Sequence, residues 1–349
     1  MKPITIGDMQ IGPGLAPFII AEMSGNHGQS LEKAYRLIDA AANAGAHAIK
    51  LQTYTPDTIT LDCHENEFFI EDPNSLWKGN SLYNLYKEAM TPWEWHEELF
   101  NYAKEKGLMA FSTPFDLTAV DFLETLNPPC YKVASFENTD HAILAAVAKT
   151  GKPVIVSTGM ASQAEIAESV EVLRDNGCSD IILLKCTSNY PANPVDANLK
   201  TIPHLSELFD CHVGLSDHTP GVGVAVAAVA LGATVVEKHF VLDRSGGEVD
   251  AEFSLEPAEL KLLVEETARA AVAIGKVSYG ATEREKASLV HRRSLYIAED
   301  LKAGDTLNET NLRSVRPGLG LAPKYLPLLL GKKLRQDAPK GTPMSWELL

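Results

Sequence analysis

Two short units near the middle of the chain begin apolar and stop in side chains that can do chemistry. They are Gly214-Leu215-Ser216-Asp217-His218-Thr219-Pro220 and Val235-Val236-Glu237-Lys238-His239-Phe240. β-Branched valines precede both polar clusters. The small-residue run from Gly221 to Ala233 is long enough for a helical crossover, so strand–helix–strand is the economical reading. It sets Ser216, Asp217 and His218 beside Glu237, Lys238 and His239 at the ends of adjacent parallel strands. A lone histidine is more often a core or surface residue, but two at matched strand ends, with carboxylates alongside, suit one divalent ion or one substrate. His218 and His239 are therefore expected to hold a borderline or hard ion whose open positions take water and substrate oxygen. Manganese fits, with magnesium or cobalt as alternatives and zinc if a third ligand joins.

A second set of residues is suited to anions. Lys50 and Lys132 lie inside the otherwise apolar runs Ala48-Ile49-Lys50-Leu51-Gln52-Thr53 and Tyr131-Lys132-Val133-Ala134-Ser135. An unpaired ammonium buried there would be very costly. Gln52 shares the strand end of Lys50, and Thr113, Ser135, Ser157, Ser188 and Ser216 end their own runs in hydroxyls. Short neutral donors around one or two cations are what a phosphate or carboxylate needs. Any single strand-end Ser or Thr more ordinarily caps the following helix. The two intrastrand lysines turn the set towards phosphate. His27, in Gly25-Asn26-His27-Gly28, serves equally well as a turn residue.

A scaffold that gathers many strand ends is required to bring these groups together. After a short hairpin over residues 2 to 15, apolar runs ending in polar pairs recur at Glu22, Lys50/Gln52, Ser112/Thr113, Lys132/Ser135, Ser157/Thr158, Thr187/Ser188, Ser216/His218 and Glu237/His239. Helical patterns separate them, including one opened by Thr91-Pro92 and one from Pro257 to Ile274. Eight strand–helix units over roughly 260 residues predict an α/β fold, a (β/α)8 TIM barrel with its chemistry at the strand C-termini. A doubly wound open sheet is the alternative, without a Gly-rich dinucleotide fingerprint to support it. The excursion from Tyr54 to Met90 is unusually long for a connection, as lids and binding loops are. The boundaries drawn from the sequence are 1–275 for the barrel, 276–290 for a linker and 291–349 for a tail of about 60 residues, small for independent stability.

Composition narrows the class further. Lys+Arg of 31 against Asp+Glu of 46 gives the 349-residue chain a formal charge of −15, which argues against nucleic acid or an anionic membrane as partner. The five cysteines (Cys63, Cys130, Cys178, Cys186, Cys211) have no paired spacing and read as reduced thiols of a cytoplasmic protein. No run approaches the ~18 apolar residues of a spanning helix.

Six ordered motifs also carry a resemblance. Ala21-Glu22-Met23-Ser24-Gly25-Asn26-His27, Ser112-Thr113-Pro114-Phe115-Asp116, Tyr131-Lys132-Val133-Ala134-Ser135, Ser157-Thr158-Gly159-Met160, Gly214-Leu215-Ser216-Asp217-His218-Thr219 and Glu237-Lys238-His239-Phe240 together resemble the sialic acid synthase family. Arg316-Pro317-Gly318 is similar to that family's antifreeze-like (SAF) domain, so the likeness spans nearly the whole chain. Trp77-Lys78-Gly79, Leu82-Tyr83-Asn84-Leu85-Tyr86, Thr91-Pro92-Trp93-Glu94-Trp95-His96 and Phe253-Ser254-Leu255-Glu256-Pro257 are most similar to its pseudaminic acid branch. The N-acetylneuraminate and legionaminate branches are the alternatives within the family. A non-catalytic carbohydrate-binding protein is the alternative outside it.

The resemblance implies condensation of phosphoenolpyruvate with an amino-sugar aldehyde, here 2,4-diacetamido-2,4,6-trideoxy-altrose. It implies that Lys50, Thr113, Lys132, Ser135, Ser157, Ser188 and Ser216 hold phosphoenolpyruvate and that His218 and His239 bind the metal. Glu22, Asp250 and Arg316 would meet the sugar. Some relatives place asparagine where this chain has Ser188, so the donor there is a hydroxyl. Glu22 or Glu137 would stabilise developing cationic character or deprotonate water, Glu22 by preference, and Glu237 completes the set of candidate catalytic carboxylates. A domain-swapped homodimer is implied, each SAF domain capping the barrel of the other subunit.

Overall fold

Apolar β-forming runs alternate with helices whose buried stripes face them, and this rhythm builds the first of two units, Met1–Gly275, in the computed structural model. The structure describes residues 1–73 and 75–349. Strands β1 (Ile4–Ile6) and β2 (Met9–Ile11) form an antiparallel hairpin. The strand–helix rhythm starts with β3 (Phe18–Glu22), α1 (Leu31–Ala44) and β4 (Ala48–Thr53). The excursion holds the short helices α2 (Pro56–Ile59) and α3 (Leu82–Ala89), and α4 (His96–Glu105) and β5 (Met109–Pro114) follow. Next come α5 (Leu117–Leu126), β6 (Tyr131–Val133), α6 (His141–Lys149), β7 (Val154–Ser157), α7 (Gln163–Asp175) and β8 (Ile181–Cys186). The unit ends with α8 (Thr201–Phe209), β9 (His212–Asp217), α9 (Gly223–Ala230), β10 (Val235–His239) and α10 (Pro257–Ile274).

The eight strands β3–β10 form one parallel sheet in the order β5-β4-β3-β10-β9-β8-β7-β6, and β5 packs beside β6 at the seam. This is the expected (β/α)8 barrel. Its interior is filled at the N-terminal ends of the strands by Phe18, Ile20, Ala48, Phe111 and Val235, against which the hairpin sets Ile4, Ile6 and Ile11. The hairpin is therefore a plug. A larger core lies between strands and helices; α1 illustrates why, burying Ala34, Leu37, Ile38 and Ala41 along one stripe. The Ser30 hydroxyl accepts from Lys33 N at its start, as an N-cap should. Gly214 is required on β9, because a Cβ there would meet the Val235 carbonyl at 2.4 Å.

One expected helix start is displaced. Thr91 does not cap a helix at Pro92; a 3-10 turn, Trp93–Trp95, intervenes and α4 begins at His96. The Thr91 hydroxyl is already engaged with His27 Nε2 at 3.2 Å, inside the wall of the barrel. That contact also gives His27 a structural place.

The second unit, Lys276–Leu349, has its own small core of Leu295, Ile297, Leu307, Leu312, Leu334 and Met344. Strands β11 (Ser294–Ile297) and β12 (Leu312–Val315) pair antiparallel, and α11 (Leu326–Leu329) packs on them. Residues 276–290, read from sequence as a separate linker, are counted in this unit. The segment's far end is bonded into it, since the Val290 carbonyl accepts from Gly318 N at 2.8 Å.

Candidate active site

The polar ends of the barrel strands surround a cavity of about 440 Å³. Period-two alternation turns Glu22, Lys50, Lys132, Ser216 and Glu237 inward from five strands, and all are buried. Lys50 Nζ lies 2.7 Å from Glu22 Oε2, 3.7 Å from Glu237 Oε2 and 3.0 Å from Thr113 Oγ1. Lys132 Nζ approaches Glu237 Oε1 at 3.7 Å and donates to the Val133 carbonyl at 3.2 Å. Gln52 Nε2 donates to Glu22 Oε1, and Ser216 Oγ donates to Glu237 Oε1. Glu237 thus stands between the two lysines, 3.7 Å from each.

Charge follows from this placement. Burial drives the Glu22 pKa up to about 7 against the pull of Lys50, with repulsion from Glu237 adding to the rise. Burial also pushes Glu137 up to about 7, opposed mainly by Lys132. For Glu237, burial is outweighed by Lys132 and Lys50 together, and its pKa falls below the usual carboxylate range. Burial lowers Lys132, although Glu237 opposes the shift, whereas at Lys50 Glu22 and Glu237 overcome burial and raise the pKa. Two carboxyls near neutrality beside a fixed carboxylate and two cations make a site able to both bind anions and move protons.

The hydroxyl set is gathered unevenly. Ser135 and Ser157 line the cavity, and Ser157 Oγ is buried without a hydrogen-bond partner, as is Glu137 Oε2. Gly159 N donates to Ser135 Oγ at 3.2 Å, and a Cβ on Gly159 would strike Ser188 Oγ and Ser135 Oγ at 2.2 and 2.6 Å. A glycine is needed there to let two hydroxyls converge. Thr113 is not on the cavity wall; it lies under Lys50 and holds its ammonium. Ser188 is also off the wall, beside Cys186 Sγ at 3.8 Å. Asp250 lines the cavity beside His239, its Oδ2 3.8 Å from His239 Nδ1. Arg316 belongs to the second unit, where it is exposed.

His218 and His239 lie side by side, ring centroids 5.2 Å apart. His218 Nδ1 donates to the Thr187 carbonyl at 3.0 Å, and His239 Nδ1 is engaged with Ser24 Oγ at 3.2 Å. Nδ1 of each ring is thus engaged and, among the described residues, Nε2 is not; at His218 burial is outweighed by Cys186 and the Thr187 carbonyl, which raise its pKa. Burial first, then His218 and Lys50, holds the His239 pKa well below its ordinary value, so that ring stays neutral as a metal ligand must. Among the described residues no three His, Cys, Asp or Glu side chains converge as a ready metal cage. Two nitrogen donors fit a divalent ion that keeps positions for water and substrate, as a catalytic rather than a fold-holding ion does.

Sequence reasoning missed the apolar half of the cavity. Tyr54, Ile59, Ile70, Trp77, Leu82 and Tyr86, all from the excursion, face the polar strand ends together with Phe115 and Phe136. Trp77 Nε1 donates to the Val249 carbonyl at 2.9 Å and ties the excursion to the segment after β10. Tyr190 packs tilted against His218, ring centroids 4.5 Å apart, and Phe253 packs edge-on against His239 at 4.8 Å, so both imidazoles are wedged by aromatic neighbours. Cys186, read only as a buried thiol, also lines the cavity; burial alone would raise it, but its interactions with His218 bring it down to about 7. An aromatic count over the excursion is the signal that was there to use.

Taken together, fold and site define a barrel enzyme whose catalytic end gathers two buried lysines, the buried carboxyls of Glu22 and Glu237 and two adjacent histidines around one cavity. Comparison with known proteins names the family. The NeuB family model matches residues 37–279 and the SAF domain model matches residues 292–349, and the chain belongs to the NeuB family. It is 45% identical over 324 residues to a pseudaminic acid synthase of Campylobacter jejuni, covering 93% of this chain and 94% of the relative. It is 40% identical over 333 residues to a pseudaminic acid synthase of Helicobacter pylori, covering 94% and 96%. Among solved structures it is similar to the N-acetylneuraminic acid synthetase of Leptospira borgpetersenii in complex with citrate. That match has a TM-score of 0.72 and 34% identity over 82% of this chain and 95% of that one.

Proposed function

We propose that this chain catalyses the reaction for which its Campylobacter and Helicobacter relatives are named, the synthesis of pseudaminic acid. Phosphoenolpyruvate is joined to the open-chain aldehyde of 2,4-diacetamido-2,4,6-trideoxy-altrose, and water is consumed to give the nine-carbon 2-keto acid and phosphate. The observation that carries this reading is the pair of buried lysines, Lys50 and Lys132, held around Glu237 at one cavity. Two intrastrand ammonium groups at a barrel's catalytic end suit a small dianionic or trianionic substrate. The apolar half of the cavity suits the 6-deoxy carbon and the two acetamido methyls of the sugar.

In this reading Lys50, held by Thr113, and Lys132 bind the carboxylate and phosphate, with Ser135, Ser157 and Ser216 as neutral donors, and Ser188 supports Ser135 from behind the wall. Asp250, Gln52 and the aromatic wall orient the sugar. A divalent ion held by His218 and His239, Mn²⁺ by preference, would supply Lewis-acid polarisation of the aldehyde oxygen. The enol carbon forms the new bond to the aldehyde carbon, whose oxygen takes up a proton. Positive charge left on the phosphate-bearing carbon is stabilised by Glu237 and by Glu22 when ionised. Water adds to that carbon and gives its proton to Glu22, or to Glu137 across the cavity, both poised near neutrality. Collapse of the tetrahedral carbon to the ketone expels phosphate.

The reading extends to a homodimer in which Arg316 of one subunit meets the sugar in the barrel of the other; the SAF match and the exposure of Arg316 support it. It also places the reaction in the cytoplasm, where five free cysteines stay reduced. Among the described residues no helix is long and apolar enough to cross a membrane. The test is phosphate release from phosphoenolpyruvate with added Mn²⁺ and, in parallel, the altrose derivative, its manno isomer and N-acetylmannosamine. The altrose derivative should give the highest kcat/KM. Release with none of the three overturns the reading.

A further inference from the structure

The two strands that carry the histidines also carry a charged pair that the proposed reaction does not use. Ser216 and His218 line the cavity from the end of β9, and Glu237 and His239 line it from β10. The residues between them, Asp217 and Lys238, fall on the opposite face of each strand, away from the cavity. The register of β9 and β10 sets Lys238 directly against Asp217. Lys238 is completely buried, and Asp217 nearly so.

Every polar atom of this pair is used. Lys238 Nζ donates to Asp217 Oδ2 at 2.9 Å, to the Thr219 carbonyl at 2.5 Å and to the Gly221 carbonyl at 3.0 Å. Asp217 Oδ1 accepts from Thr219 N at 3.0 Å and from Thr219 Oγ1 at 2.8 Å. The result is a closed ring of bonds around residues 217–221, and His218 lies inside that ring on the chain. A buried ion pair is a poor source of net stability, because desolvating both charges offsets their attraction. What such a pair does well is fix one backbone geometry.

We propose that Asp217 and Lys238 are positioning residues, whose ion pair fixes the backbone after β9 and so aims His218 at the ion position it shares with His239. This rests on the reading that the two histidines hold a divalent ion. The plainer alternative is that the pair only helps hold β9 to β10. Outer partners that orient a ligating histidine typically change metal affinity 10–100-fold when removed. The pair acts on His218 through one peptide unit, and an effect of about tenfold or more on Mn²⁺ affinity is expected by the same reasoning.

The experiment measures Mn²⁺ binding by electron paramagnetic resonance in metal-stripped wild type, Asp217→Asn and Lys238→Met. Phosphoenolpyruvate binding and the unfolding midpoint are recorded on the same samples. Asp217→Asn keeps an oxygen for the Thr219 turn while turning an amide towards Lys238, so it removes the clamp selectively. Weaker Mn²⁺ binding in both variants, with phosphoenolpyruvate binding retained on Lys50 and Lys132, supports the proposal. Unchanged Mn²⁺ affinity with only a lowered midpoint overturns it, as does an equal loss of both ligands, which would mean general distortion. If a single variant does not fold, the double variant Asp217→Asn/Lys238→Met removes both buried charges and is read in the same way. A wild-type protein that binds no Mn²⁺ overturns the two-histidine reading itself, and the clamp with it.

Discussion

Replacing Lys50 with methionine removes an ammonium but keeps most of the apolar stem, and the structure gives opposite expectations for activity and stability. Lys50 Nζ is buried and lies 2.7 Å from Glu22 Oε2, 3.0 Å from Thr113 Oγ1 and 3.7 Å from Glu237 Oε2. Loss of a preorganised donor in such a site costs about 2.7–4 kcal/mol of transition-state stabilisation, roughly 10²–10³ in rate. Breaking a buried ion pair ordinarily also costs about 3–5 kcal/mol of fold stability. Here the second cost should be much smaller at neutral pH. Glu22 is already poised at about 7 and takes up a proton once its cation is gone, while Glu237 keeps Lys132 at 3.7 Å. The sign follows from linkage: without Lys50 the native-state pKa of Glu22 rises further, so the native state holds a proton that the unfolded state releases. The stability deficit of Lys50→Met should therefore widen as the pH is raised from mildly acidic to alkaline. Steady-state phosphate release as a function of phosphoenolpyruvate gives kcat/KM, and urea unfolding across pH gives the stability. A variant with wild-type kcat/KM would show that Lys50 is only a structural partner of Glu22 and that the anion pocket lies elsewhere.

Three further outcomes follow from the same geometry. His218→Ala or His239→Ala should abolish metal-dependent turnover with circular dichroism unchanged, and EDTA followed by Mn²⁺ should inactivate and restore the wild type; full activity in metal-stripped protein would refute the assignment. Glu137, raised from 4.5 to about 7 chiefly by burial, favours the native state only while protonated, so its contribution is lost as pH rises between those values, up to about 3 kcal/mol. Glu137→Gln should flatten that part of the urea-stability profile, and an unchanged profile would mean the carboxyl is not buried in solution. Mixing Arg316→Ala with Lys132→Ala subunits should regenerate activity once exchange is verified by mass; no gain after exchange would place Arg316 in its own subunit's site or outside both.

How far the site could be read in advance depended on whether each residue's role was written into its own strand. Lys50 and Lys132 were legible because an ammonium inside an apolar run has a local physical cost, and that cost is visible in the sequence. The histidines were legible because each closes a valine-led strand, so their neighbourhood in space followed from one crossover. Thr113 looked like a phosphate donor from the same pattern, yet it lies beneath Lys50, because a strand end fixes which face a side chain takes but not how far another reaches over it. The apolar wall could not be read at all by period. Ile59, Ile70, Leu82 and Tyr86 follow no common repeat and meet only because the excursion folds back over the barrel, tied by Trp77 to the Val249 carbonyl. That tie joins residues 172 positions apart, and no local rule encodes it. The pair Asp217–Lys238 shows a third case: both residues were singled out, but in the same sense as their inward neighbours. Only the register of β9 against β10 separates the two faces, assigning the histidines to the cavity and the charged pair to the frame behind it. The chemistry was thus local and the frame that aims it was not, which is why tests of the frame must read metal affinity apart from turnover.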